Sequence, residues 1–346
     1  MNLPELFESP AAFQEAFVAG LERQLAEPGL GAFILVLANA SFDAAIWPAL
    51  RAPLGARFAV LSEEVRSALR TGDRLDYPED DLLVFLKLMA MGIEAIRPTE
   101  YRQVGPWEMQ FTPMRALRPT RASGVKTLGS KPPEFNRSGF HFNKPFLQKE
   151  VLWQGDLLHR PCRLLYNKFP FAPWHGLLVP EPEREHPQRL TQELHLHAWH
   201  VTRALGTRLP GFGLSYNSFG AYASVNHLHF QTYLRSTPLP IEAAGWRHNG
   251  GETAYPADCI AFDDALEAWL HLARLHENET PCNLIYVPER LYCLPRRPQG
   301  GYDLPAWCGG QAWYEMAGGG VAFSQAEYRA LSEAAIAGAL GNSRLT

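Results

Sequence analysis

Residues 217–233, NSFGAYASVNHLHFQTY, constrain this chain more than any other stretch. His227, His229 and Gln231 stand at alternate positions, so a strand period of two places them in one row with Val225 and Tyr233. Leu228, Phe230 and Thr232 then face the opposite side. A β-strand over 225–233 is expected, with Asn217 and a Gly/Ser-containing turn leading into it. Two imidazoles and a carboxamide on one face make a poor core surface and a good floor for an anionic substrate.

Attack on phosphorus suits this arrangement. A neutral imidazole is nucleophilic near pH 7, and a nitrogen–phosphorus bond is labile enough to be passed on. The turn before the strand supplies main-chain N–H groups, and Ser224 a hydroxyl, for phosphate oxygens. His-x-His alone also fits a metal-ligand pair or an ordinary pair of histidines. Asn217, Ser218, Gly220, Ser224 and Asn226 before it, with Gln231 after it, favour phosphate, so neither a metal nor a cofactor is expected.

The pattern Asn217-x-x-Gly220-x-x-x-Ser224-x-x-His227-x-His229-x-Gln231 resembles the signature of the histidine-triad superfamily in its nucleotidyltransferase branch, where Gln replaces a third His. Within that branch, LPGFGLSYNSFGAYASVNHLHFQTYL at 209–234 and PLPIEAA at 238–244 resemble the GDP-hexose phosphorylases. FHFNK at 140–144 and NKFPFAPWHGLLVPEP at 167–182 extend the likeness, which covers roughly 110–335. His175 matches the first histidine of the superfamily's Gly-His-x-Leu-x-x-Pro motif, with Trp174 in place of its glycine.

The resemblance implies an α+β fold with a HIT-like antiparallel sheet and flanking helices. Two fused HIT-like halves are expected, the catalytic one at 105–240 and a degenerate one with a C-terminal helix at 241–346. A mainly helical region at 1–104 precedes them. No second His-x-His-x-Gln occurs, so duplication is an implication of the likeness and not of any periodicity.

Composition narrows the partners. Apolar residues make up 46% of the 346 residues and charged residues 20%, which is ordinary for a globular protein. A formal charge of −4 without a long basic block argues against long nucleic acid as a partner. Five scattered cysteines contain no CxxC pair, and no apolar run reaches membrane-spanning length. A cytoplasmic location is therefore expected, with no membrane partner.

The first hundred residues read as helices. Phe13, Phe17, Leu21 and Leu25 recur every fourth position in 9–27. Residues 31–39 fit either a strand or a buried helix. Ser62 is the candidate N-cap of another helix, and a further one follows Pro78. This region is expected to cover the catalytic sheet.

Beyond residue 104, Arg115, Arg118 and Arg121 lie on an arm interrupted by Pro113 and Pro119, and Arg115 is the candidate phosphate contact. Phe140, Phe142, Asn143 and Lys144 form the candidate nucleotide-side group, with an aromatic to stack on a base. Strands are expected in 151–182, a helix from Pro187 to Leu205, and another from Asp263 to Glu277. A hairpin should follow at 283–297 and one final helix after Ser324.

The resulting expectation is a GDP-hexose phosphorylase. His229 attacks the α-phosphorus and expels hexose 1-phosphate, and inorganic phosphate then releases GDP from the guanylyl-histidine. His227 orients the site or supports proton transfer, while Gln231 hydrogen-bonds phosphate. Asn217, Ser218, Gly220, Ser224, Asn226, His175 and Arg115 are the candidate substrate and phosphate contacts. A nucleoside diphosphate sugar and inorganic phosphate are the expected partners, and a homodimer is one assembly the likeness allows. Diadenosine tetraphosphate phosphorolysis, uridylyl transfer to galactose 1-phosphate and noncatalytic nucleotide binding remain the competing readings.

Overall fold

The computed structural model describes residues 3–118 and 130–345. Arg121 and part of the loop that follows it lie outside the described residues.

Four helices open the chain: α1 Pro10–Ala26, α2 Leu30–Phe42, α3 Trp47–Thr71 and α4 Glu79–Met91. Ser9 caps α1 by accepting the Ala12 N–H at 3.1 Å. The 31–39 segment resolves as helix because it is apolar all round and is enclosed all round. Every residue of α2 except Gly31 is buried, as suits a helix packed against neighbours on every side. Ser62 does not start a helix. It sits buried inside α3, which begins fifteen residues earlier with Pro48 in its first turn.

A small sheet follows. β1 Glu100–Val104 and β2 Trp107–Phe111 form a hairpin, and β11 Gly319–Ala322 joins β2 in parallel. The expected extended arm is thus β2 followed by a single helical turn, α5 Pro113–Ala116. Glu108 ties this sheet to the main one, because Arg235 meets its two carboxylate oxygens at 3.0 and 2.9 Å.

The main sheet has eight strands: β3 Val151–Leu157, β4 Arg160–Tyr166, β5 Gly176–Pro180, β6 Phe212–Asn217, β7 Phe230–Leu234, β8 Ile260–Phe262, β9 Cys282–Val287 and β10 Arg290–Pro295. Their order is β3-β4-β5-β7-β6-β9-β10-β8, with antiparallel neighbours throughout. The pairing of β6 with β9 carries the sheet without a break across residue 240.

Alternation assigns the two faces. Phe212, Leu214, Tyr216, Phe230, Leu234, Leu284 and Tyr286 pack into one core with α6 Gln192–Arg208, α7 Ala265–Glu277 and the N-terminal helices. Tyr233 and Ile285 point the other way, into an aromatic core with Trp107, Trp313 and Tyr314. Trp313 opens α8, Trp313–Met316. The single helix expected after Ser324 is two helices, α9 Gln325–Ala330 and α10 Glu333–Gly341. Leu331 lies between them in extended backbone, and Ser332 caps the second by accepting the Ala335 N–H.

Candidate active site

β7 begins at Phe230, not at Val225. Both histidines therefore precede the strand, in the 218–229 loop that leaves β6 at Asn217. The alternation predicted a longer strand, but the loop's polar backbone finds other partners. Leu228 N–H donates to the His186 carbonyl at 2.8 Å. His229 N–H donates to Gln188 Oε1 at 3.0 Å, and Gln188 Nε2 returns a bond to the Asn217 carbonyl at 2.9 Å. Gln188 thus pins the end of β6 and the start of β7 together. Gly220 turns the loop with φ +81°, and its carbonyl accepts from Gln299 N–H at 2.8 Å.

His229 Nδ1 lies 2.8 Å from the His227 carbonyl oxygen. A carbonyl accepts, so Nδ1 carries the proton and the lone pair sits on Nε2. Burial pushes the His229 pKa down to about 4, which keeps the ring neutral at pH 7. His227 occupies a different environment. Its Nδ1 accepts from Phe142 N–H at 3.2 Å, and its ring packs against Phe135, Phe142 and His141. Burial first, then the neighbouring His229, pushes it down to about 3.

Gln231 is held by its oxygen. His175 Nδ1 accepts Phe171 N–H at 3.2 Å, leaving the proton on Nε2, which lies 2.9 Å from Gln231 Oε1. Burial keeps His175 neutral, with a pKa of about 3. Trp174 explains the glycine that the related motif carries before this histidine, since its φ is +55°.

His229 and Gln231 open on a cavity of about 930 Å³. Of the sequence-predicted residues, Asn217, Ser224, His229, Gln231, Arg115, Phe140 and Phe142 line it. Phe142 rests edge-on against His229 with centroids 5.0 Å apart, and Phe140 packs on Phe142 at 6.1 Å. Arg115 sits over the Phe171 ring at 4.3 Å and donates to the Phe169 carbonyl at 2.9 Å. Burial lowers its pKa. The N-terminal helices do more than cover the sheet: Leu30, Arg57, Leu61 and Asp81 belong to the same cavity wall.

The other predicted residues are committed elsewhere. Ser218 Oγ accepts Cys282 N–H at 2.8 Å. Asn226 accepts Gln188 N–H at 3.0 Å and donates to the Pro133 carbonyl at 2.9 Å. Asn143 bridges Arg163 and the Pro182 carbonyl, and Lys144 donates to the Arg137 carbonyl. Gly220, His175 and His227 support the cavity from behind its wall.

Three residues escaped sequence reasoning. Gln188 and Trp313 carry no local motif. Glu315 lines the cavity with its Oε2 accepting Ala312 N–H at 3.0 Å, and burial pushes its carboxyl up to about 7 against the opposing pull of Arg115. Among the described residues no three His, Cys, Asp or Glu side chains gather as a metal-binding group.

The chain is similar in sequence and in fold to known proteins. Residues 118–233 match a family model described as "GDPGP1-like, N-terminal domain". GDP-D-glucose phosphorylase 1 of Danio rerio is 35% identical over 133 residues, covering 38% of each chain. The Homo sapiens protein of that name is 38% identical over 127 residues, 34% of this chain and 32% of the relative. GDP-L-galactose phosphorylase 1 of Arabidopsis thaliana is 34% identical over 143 residues, 37% of this chain and 31% of the relative. The matches thus span 31–38% of the relatives' length. The crystal structure of yeast Ap4A phosphorylase Apa2 superposes with a TM-score of 0.50 at 15% identity, over 72% of this chain and 88% of the other. That likeness is one of fold, and it places the chain among α+β, HIT-like architectures.

Proposed function

We propose that this chain, whose central segment is homologous to the GDP-hexose phosphorylases, is itself a GDP-hexose phosphorylase acting through a nucleotidyl-histidine. The observation that carries the reading is the fixed tautomer of His229, which leaves Nε2 unprotonated on a residue that lines the cavity with Gln231, Asn217 and Ser224.

In the first half-reaction the Nε2 lone pair attacks the α-phosphorus of the GDP-hexose. A nitrogen–phosphorus bond forms, the α–β bridging bond breaks, and hexose 1-phosphate leaves with the bridging oxygen. The imidazole becomes cationic as the bond forms. Its Nδ1–H then donates more strongly to the His227 carbonyl, which stabilises the charged intermediate. The leaving phosphate ionises near neutral pH and needs no strong general acid. In the second half-reaction an oxygen of inorganic phosphate attacks the same phosphorus, the nitrogen–phosphorus bond breaks, and GDP departs.

The amide of Gln231, the Ser224 hydroxyl and Arg115 meet the nonbridging oxygens. Phe140 and Phe142 give the base an aromatic surface. The division into a catalytic half at 105–240 and a degenerate half at 241–346 belongs to this reading. So do a cytoplasmic site of action, where five free thiols persist, and an optional homodimer. The test is GDP release from GDP-glucose, GDP-galactose and GDP-mannose with and without inorganic phosphate. Phosphate-dependent release with stoichiometric hexose 1-phosphate supports the reading, and phosphate-independent hydrolysis to GMP contradicts it.

A further inference from the structure

The chain returns to the sheet at Trp313, in the half of the molecule where the sequence offers no reacting group. Trp313 is fully buried, and its ring stacks on Tyr233 with centroids 5.0 Å apart and planes 14° from parallel. Both of its N–H groups reach carboxamides of the cavity wall. The main-chain N–H donates to Asn217 Oδ1 at 2.9 Å, and the indole Nε1–H donates to Gln231 Oε1 at 3.0 Å.

Neither group of Trp313 can accept, so each one identifies the carboxamide atom it meets as oxygen. A second donor completes each oxygen. Asn283 Nδ2 lies 2.7 Å from Asn217 Oδ1 and His175 Nε2 lies 2.9 Å from Gln231 Oε1. Asn283 is fixed in turn by Arg296 Nη1, which meets its Oδ1 at 2.9 Å. With both oxygens occupied on the protein side, the two NH2 groups are what Asn217 and Gln231 present to the cavity. They come from the adjacent strands β6 and β7.

We propose that Trp313 is a positioning residue that sets the polarity of the phosphate site by holding both carboxamides nitrogen-outward; this inference rests on the nucleotidyl-transfer reading above. A reversed Gln231 would present its oxygen to the phosphate oxygens and its NH2 to both the indole N–H and the His175 Nε2–H, three repulsive contacts in place of three hydrogen bonds. The second half thus contributes orientation to a reaction whose nucleophile lies in the first.

Trp313→Phe tests this by keeping a stacked ring and the main-chain N–H while removing the indole donor. The effect should be confined to Gln231. The maximal rate of nucleotidyl-adduct formation should fall about 10- to 100-fold, the scale of a lost oxyanion donor, with half-saturating nucleotide sugar changed less than about threefold. In a Gln231→Ala background the same substitution should change the rate by less than about twofold. Equal losses in both backgrounds would mark Trp313 as packing alone and overturn the proposal.

Inorganic phosphate binding by titration calorimetry reads the same orientation without turnover. Trp313→Phe should weaken it several-fold when Gln231 is present and leave it unchanged when Gln231 is absent. If no donor forms an adduct, the phosphorylase reading fails and the phosphate arm still decides the role of Trp313. Equal weakening in both backgrounds, or no phosphate binding by any of the proteins, overturns it.

Discussion

His229 Nδ1 and the His227 carbonyl oxygen are 2.8 Å apart. The first histidine of the pair therefore serves the second through its backbone, while its own ring is enclosed by Phe135 and Phe142. This relationship determines which nitrogen of His229 carries the lone pair and gives the two imidazoles unequal environments.

One consequence concerns pH. An imidazole of ordinary pKa, about 6.5, would lose about 25-fold in its neutral fraction between pH 7 and pH 5. His229, pushed down to about 4 by burial, stays neutral over that range. Adduct formation at saturating nucleotide sugar should fall less than about twofold between pH 7 and pH 5. A break near pH 7 that disappears in Glu315→Gln would report the Glu315 carboxyl instead.

The same burial affects stability. His175, His227 and His229 are neutral when folded down to pH 3–4 and titrate near 6.5 when unfolded. Between these limits the unfolded chain binds more protons, so stability is complete above about pH 6.5 and declines as pH falls toward 4. Denaturant midpoints measured from pH 7.5 to pH 4.5 should fall along this window.

Two serines that the sequence treats alike separate in the structure. Ser218 Oγ is occupied by Cys282 N–H, whereas Ser224 lines the cavity. Ser218→Ala should lower stability by about 1–3 kcal/mol and leave the adduct rate nearly unchanged. Ser224→Ala should leave the melting temperature unchanged and slow adduct formation by about 10-fold or more. Thermal melts and single-turnover rates on both variants separate the roles.

Gln188 offers a complementary test. Gln188→Leu leaves the His229 N–H and the Asn217 carbonyl without their present partner. The expected loss is about 1–3 kcal/mol for each stranded group. The maximal rate should fall more than substrate affinity, because the His229 backbone moves and the aromatic surface does not.

The paired contact of Arg235 with Glu108 predicts a stability effect remote from the chemistry. The two side chains are 5% and 17% exposed, and they join the small sheet to the main one. Glu108→Ala should destabilise by about 3–5 kcal/mol, because it leaves a buried guanidinium unpaired. Denaturant titration reads this directly.

The sequence made part of the cavity wall legible because its residues are contiguous. His229, Gln231, Ser224 and Asn217 fall within one short segment, and all four line the cavity. The strand assigned to His227 and His229 was too long, since alternation records which side chains share a face and not whether main-chain partners exist. Leu228 and His229 spend their N–H groups on His186 and Gln188. Gln188 and Trp313 were invisible for a different reason. Their roles depend on contacts made across 41 and 82 positions of sequence. A tryptophan in an aromatic-rich stretch also reads as core, which Trp313 is. The N-terminal helices were legible as elements, but their place in the cavity wall follows from tertiary packing alone.

Intact-protein mass spectrometry tests the central claim most directly. The protein would be incubated with GDP-glucose, GDP-mannose, UDP-glucose and diadenosine tetraphosphate in the absence of inorganic phosphate, alongside His229→Ala, with nucleotide binding verified for both. The account predicts a guanylyl adduct on the native protein, none on His229→Ala, and discharge of the adduct by phosphate as GDP. No adduct from any bound donor, or an adduct that persists in His229→Ala, would contradict it.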